Sequence, residues 1–416
     1  MAGLNEIIAL CKSGQVLEAY SQAKADLEQG MPWAKLTTGK ALYYCIRKDA
    51  EEGRYEELIV HLDELMALEQ LTPENENTIF WIGYFAKKHL PPTAIDTPKR
   101  LSALFSRLKP FSFKPGISYS ALLEGFTRHD SWLELDDFME WWNLQNLTPE
   151  DYLPLEVVPG RKILSVAERA YIAKSKVLLR LNDRERIEEF LPRMEKLMEN
   201  HTEMLYLGYF YGKLLLSMGR NTTEALNAVI PFARKKSTEF WVWQLLSDVF
   251  VNEPDKHLAC LLRAVHCRTQ EKFLGKVRIK LAQIYIQRNQ LGLAKYQIDK
   301  VTQCYLPQGW HLPYEVECWI HQPWINNVAS SNHPPVDFQT ITDEIIGSKI
   351  VEGIVVKRPD KEFAFLKTEK GDYYISPKIV DRNQLSNSEK VKSLVVYEYN
   401  KKRKSQEWIC VKIMKK

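Results

Sequence analysis

The sequence predicts an all-α helical-hairpin repeat solenoid followed by a small five-stranded β-barrel, on three observations. Up to about residue 320, apolar residues recur at helical spacing, in paired segments that return with a period in the mid-thirties. After about Gly347 the period drops from 3.6 to 2. Charge changes at the same place. The 416-residue chain has a net charge of +4, yet residues 347–416 hold 17 Lys/Arg against 9 Asp/Glu, and the remainder holds 40 against 44. The total is therefore a basic module of +8 joined to an acidic region of −4. At 45% apolar and 26% charged residues, the composition excludes a mostly disordered or collagen-like chain.

Leu4, Ile7, Ile8 and Cys11 form the first apolar stripe, and Gly14 suits the turn into Val16, Ala19, Tyr20 and Ala23. A helix around Leu36 to Ala50 ends at Gly53, and Tyr55, Leu58, Ile59, Leu62, Leu65 and Met66 begin the next. From 70 to 200 helices continue without clear register. The stretch 145–165, with Thr148-Pro149-Glu150-Asp151 and Val158-Pro159-Gly160-Arg161, is turn-rich and predicts a loop break. The period is clearest late. Leu246-Ser247, Phe250 and Ala259 are matched 35 residues on by Leu281-Ala282, Tyr285 and Ala294. From His321 the chain carries Asn326-Asn327, Ser330-Ser331-Asn332 and Pro334-Pro335, so 321–346 reads as a linker between a region 1–320 and a region 347–416.

Five strands are expected beyond Gly347: Lys349–Val356, Glu362–Leu366, Tyr373–Ser376, Lys392–Tyr399 and Glu407–Ile413, with a turn at Gly371-Asp372. Five short strands in about 70 residues suit a closed barrel, which leaves no open edge. Lys401, Lys402, Arg403 and Lys404 fall between the last two strands as a hairpin loop. Such a run is either a solvated tip or a clamp for phosphates.

Signatures of chemistry are missing. There is no P-loop, no G-x-S-x-G elbow, no H-E-x-x-H and no C-x-x-C, so no catalytic residue, metal ligand or cofactor is expected. Cys260, His266 and Cys267 are read as a core face and its flank, and Asp136-Asp137 as a solvated edge beside an aromatic stripe from Trp132 to Trp142. Seven unpatterned cysteines, no basic-then-apolar start and no run of roughly 18 apolar residues point to a cytoplasmic protein without a membrane span.

Two resemblances follow. The large-small-aromatic pattern on one helix, with a small Ala on the next and Pro307 near the end of the second unit, resembles the tetratricopeptide repeat in degenerate form. Gly353-Ile354-Val355, then Lys361-Glu362-Phe363-Ala364-Phe365-Leu366, then Asp372-Tyr373-Tyr374-Ile375-Ser376, resembles the cold-shock and S1-like OB barrels. In that family a G-x-V strand precedes K-G-F-G-F-I and V-F-V-H motifs. The resemblance places Phe363, Phe365 and Tyr374 on a platform for unpaired bases, flanked by Lys357, Arg358, Lys361 and Lys367 for phosphates, with Tyr373 alternating inward. The alternative puts Phe363 and Phe365 inside the barrel. Glu362 and Ala364 replace the motif glycines, Ser376 replaces its histidine, and the family's Trp after the first strand is absent.

The function expected is a non-enzymatic adaptor. The barrel binds RNA or single-stranded DNA and the repeats hold an unidentified protein partner; the resemblance in architecture implies a bacterial stress or phage-defence setting. The alternative is a protein–protein scaffold whose barrel has lost nucleic-acid binding. An enzyme with its site near 130–165 has only Asp136-Asp137 and His129 in its favour.

Overall fold

The computed structural model describes residues 4–69, 77–109, 111, 115–158, 160–219, 222–358, 360–369, 371–400 and 405–414. The chain divides into two compact units, Met1–Phe210 and Tyr211–Lys416.

The first unit is helical because its apolar residues form continuous stripes. Leu4–Lys12 (α1), Val16–Glu28 (α2), Ala34–Glu52 (α3) and Tyr55–Ala67 (α4) open it. Ile7, Cys11, Ala19, Ala23 and Ala41 share one core. The expected glycine turns stand where the backbone is left-handed: Gly14 at φ +89° and Gly53, the C-cap of α3, at φ +78°. Thr78–His89 (α5), Thr97–Leu108 (α6), Ile117–Thr127 (α7) and Leu135–Trp142 (α8) follow. Gly83 on α5 and Gly125 on α7 let these helices meet backbone to backbone. A Cβ on Gly125 would stand 2.3 Å from the Gly83 carbonyl oxygen. Phe126 stacks on Phe138 at 4.5 Å, and Trp132 packs against both rings.

The turn-rich 145–165 stretch holds short 3-10 turns at Leu144–Asn146 and Pro149–Tyr152 and a small hairpin, Leu155–Val158 (β1) with Arg161–Ile163 (β2). Val166–Leu181 (α9) starts at Ser165, whose side chain accepts the Glu168 N–H, and Arg184–Asn200 (α10) starts at Asp183. The acidic pair of α8 is not a solvated edge throughout. Asp136 is buried and bonded to Lys174 of α9 at 2.9 Å and to Arg186 of α10 at 2.8 Å, while Asp137 is exposed on the same Arg186.

Leu205–Ser217 (α11) leads into the second unit. There Thr222–Lys235 (α12), Phe240–Val249 (α13), Pro254–Val265 (α14), Gly275–Gln287 (α15) and Leu291–Tyr305 (α16) continue the helices. Leu246, Ser247, Phe250 and Ala259, and their counterparts Leu281, Ala282, Tyr285 and Ala294, are all buried in the α13–α14 and α15–α16 hairpins. Cys260 is buried, and the His266 ring stacks on Phe338 at 4.6 Å.

Tyr314–Ile320 (α17), Trp324–Asn327 (α18) and Phe338–Ile345 (α19) occupy the segment between α16 and the barrel. Residues 321–346, expected as a linker, thus contain two helices, α18 and α19, and α19 lies on α14. Asp343 of α19 faces Arg263 at 3.6 Å, and Asp337 caps the helix through the Thr340 N–H.

The barrel closes from Ser348–Lys357 (β3), Ala364–Thr368 (β4), Gly371–Ile375 (β5), Lys390–Asn400 (β6) and Ser405–Met414 (β7), in the order β3-β4-β5-β7-β6. A helix, Pro377–Asn383 (α20), joins the third strand to the fourth. This is an OB-fold architecture. Gly371 and Asp372, expected as a turn, already pair with β4. Closure needs a strand that serves two neighbours. β3 pairs with β6 over residues 348–354 and with β4 over 354–357, and Gly353 sits at the crossing, where a Cβ would meet the Lys367 carbonyl at 2.3 Å. Val355, Ala364, Leu366, Tyr373, Ile375, Val395 and Cys410 fill the interior. Burial pushes the Cys410 thiol up to about 11.

No helix among the described residues is long and apolar enough to cross a membrane.

Candidate nucleic-acid interface

Alternation along β4 and β5 decides which side chains reach the outside. Ala364 and Leu366 are fully buried in the barrel, as are Tyr373 and Ile375. Their neighbours Phe365 and Tyr374 therefore point outward, and they stand directly opposite each other in the antiparallel register. Phe363 precedes the strand and joins them. Its ring lies 5.6 Å from Phe365 and 5.5 Å from Tyr374, and the Phe365 and Tyr374 rings are 6.1 Å apart. All three are half-buried. The result is a triangle of rings on the outer face, each with part of its surface open to a planar ligand.

The cations expected around the rings are distributed unevenly. Lys367 is exposed on β4, two residues from Phe365 and hence on the same side. Arg358 and Lys361 are exposed in the β3–β4 turn, where the Lys361 N–H bonds the Arg358 carbonyl and its ammonium lies 3.4 Å from Asp360. Lys357 stands apart. It pairs with inward-facing Ala364, and its ammonium donates to the Leu385 carbonyl at 3.1 Å, at the barrel mouth. Glu362 is exposed in the turn beside Phe363. Lys401, Lys402, Arg403 and Lys404 lie outside the described residues.

Other residues enter the picture only through the fold. Ile409 of β7 pairs with Tyr374, so the outward row continues from Phe365 through Tyr374 to Ile409. Trp408 lies next to it, against Tyr397 at 5.2 Å, with the Lys349 ammonium 4.2 Å above its ring. Beyond Ile409 opens a cleft of about 1080 Å³ between the barrel and the end of α12. The one signal for its far wall in the sequence is the basic run Arg234-Lys235-Lys236. Among the described residues no group of three or more His, Cys, Asp or Glu is placed to hold a metal ion.

Comparison with known families divides the second half of the chain. Residues 349–413 match the S1/CSD-like domain 2 of the TOTE conflict systems. Residues 205–342 match a domain of unknown function, DUF7017. No curated protein and no solved structure matches the chain. The C-terminal module is therefore an S1/CSD-like domain with a five-stranded barrel, preceded by a mostly helical region.

Proposed function

We propose that the barrel binds single-stranded RNA or DNA by stacking unpaired bases on Phe363, Phe365 and Tyr374. The observation that carries this reading is the ring triangle on the outer face of an S1/CSD-like barrel. Aromatic faces accept any base, and each stacked base contributes about 1–3 kcal/mol. The net charge of +8 over residues 347–416 favours a polyanion. The name of the matched family supports a setting in biological conflict, such as phage defence. The chain would act there as an adaptor that does no chemistry of its own. The helical hairpins, read as degenerate tetratricopeptide-like repeats, would hold a protein partner.

A second reading, a protein–protein scaffold whose barrel no longer binds nucleic acid, is favoured by Glu362, an exposed acidic residue adjacent to Phe363 that would repel phosphates.

Titration of fluorescein-labelled oligo-U and oligo-dT with the full-length chain at low salt separates the two. The adaptor reading expects saturable binding that weakens at least tenfold in Phe363→Ala/Tyr374→Ala. Absence of binding by the parent chain supports the scaffold.

A further inference from the structure

The cleft beside the platform has a composition suited to one kind of ligand. One wall is the end of α12 and the turn after it, with Arg234, Lys235 and Lys236, and Arg263 of α14 also reaches it. The opposite wall is the barrel, with Lys412 of β7 and Arg382 of α20. Six cations line it and no carboxylate does. Lys235, Arg382 and Lys412 are exposed, and none makes a salt bridge among the described residues. The floor between the cations is apolar: Ile350 is 48% exposed and Val411 36%, and Ile409 lies between Val411 and the Tyr374 ring.

Three features identify the occupant. The cationic rim calls for a polyanion. The uncovered apolar floor suits bases and sugars better than the polar side chains of an acidic peptide. The cleft, about 1080 Å³, is open along its length and runs on from the ring triangle at Tyr374, which suits an extended chain. Tyr374 belongs both to the ring triangle and to the cleft lining, so the two surfaces are continuous.

We infer that a single strand of nucleic acid leaves the platform at Tyr374 and runs through this cleft, where the helical segment supplies phosphate contacts from Lys235 and Lys236 opposite Arg382 and Lys412. The inference rests on the platform reading and extends it. The helices of residues 211–346 then form part of the nucleic-acid site, beyond any role in holding a protein.

The test uses the full-length chain and labelled oligo-U of about 4 and about 12 nucleotides, within the span bound by one OB barrel. Lys235→Glu/Arg382→Glu/Lys412→Glu should weaken the longer oligonucleotide at least tenfold, change the shorter far less, and reduce the salt slope by about 0.7 per lost contact. The neutral variant Lys235→Gln/Arg382→Gln/Lys412→Gln should move affinity in the same direction by less, and binding of the shorter oligonucleotide retained in both variants excludes misfolding as the cause. Three results would overturn the inference while leaving the platform intact. One is unchanged affinity for the longer oligonucleotide where Phe363→Ala/Phe365→Ala abolishes it. Another is an equal loss at both lengths. The third is binding of poly-glutamate that the cleft variant loses while its affinity for both oligonucleotides stays that of the parent. If no oligonucleotide of either length binds the parent chain, platform and cleft fall together.

Discussion

Arg234 donates from Nε to the carbonyl oxygen of Ile346 at 2.6 Å, joining residues 112 positions apart. Ile346 is the C-cap of α19, and the next residue, Gly347, turns the chain into β3 at φ +59°. A Cβ on Gly347 would stand 2.9 Å from Arg234 Nη2. This bond ties the helical segment to the start of the barrel, and it holds one wall of the cleft in place.

Removing the bond should therefore loosen the second unit. Arg234→Met leaves the Ile346 carbonyl without its donor and should cost about 1–3 kcal/mol. Gly347→Ala should also destabilise, because it forces an L side chain into a left-handed conformation. The urea midpoint of the full-length chain is the measurement. An unchanged midpoint in both variants would mean that the contact holds nothing.

The crossing of α5 and α7 gives a second prediction, in the first unit. The Gly83–Gly125 approach has no room for a methyl group. Gly125→Ala should lose about 1–3 kcal/mol by overpacking, despite the higher helix propensity of alanine. Thermal unfolding decides the sign. A stabilised variant would mean that the helices separate at no cost.

The buried pair Asp136–Lys174 gives a third. Lys174→Met leaves the Asp136 carboxylate buried with Arg186 as its remaining cation and should destabilise by about 3 kcal/mol. Adding Asp136→Leu should recover most of that loss, since an apolar pair needs no desolvation of charge. A double variant no more stable than the single would contradict this account of the pair.

Glu168 adds a pH-dependent term. Burial raises its carboxyl to about 7, against the opposing effect of the Tyr206 N–H that it accepts at 3.1 Å. A folded value above the unfolded one means that the group stabilises the fold fully below about 4.5. That contribution is lost as pH rises through about 7. Glu168→Gln keeps an acceptor for Tyr206 and removes the titration. The variant should melt higher than the parent at pH 8 and close to it at pH 5. The same difference at both pH values would exclude Glu168 as the cause.

Local pattern made much of this legible. Period-2 alternation located all five barrel strands, and the same alternation separates outward Phe365 and Tyr374 from inward Leu366 and Tyr373. Short or long-range features were hidden. The helix Pro377–Asn383 buries one side chain, Val380, too little for a periodic signal. The helix Phe338–Ile345 follows Pro334-Pro335 closely and takes its order from α14 and from its Asp337 cap, so its own sequence reads as linker. Lys357 looked like one more cation beside the rings until its register with Ala364 turned it to the barrel mouth. The basic run Arg234-Lys235-Lys236 was visible, but the strand it faces lies more than 170 positions later, and no local pattern links them.

The central claim is that bases stack on the outward rings of β4 and β5. The most direct measurement is the affinity of the full-length chain and its Phe365→Ala variant for one labelled oligonucleotide across a salt series. Stacking involves no counterion, so the variant should lose about 1–3 kcal/mol at every salt concentration with an unchanged log–log slope. Equal affinity of variant and parent, or a loss that vanishes at high salt, would contradict the claim.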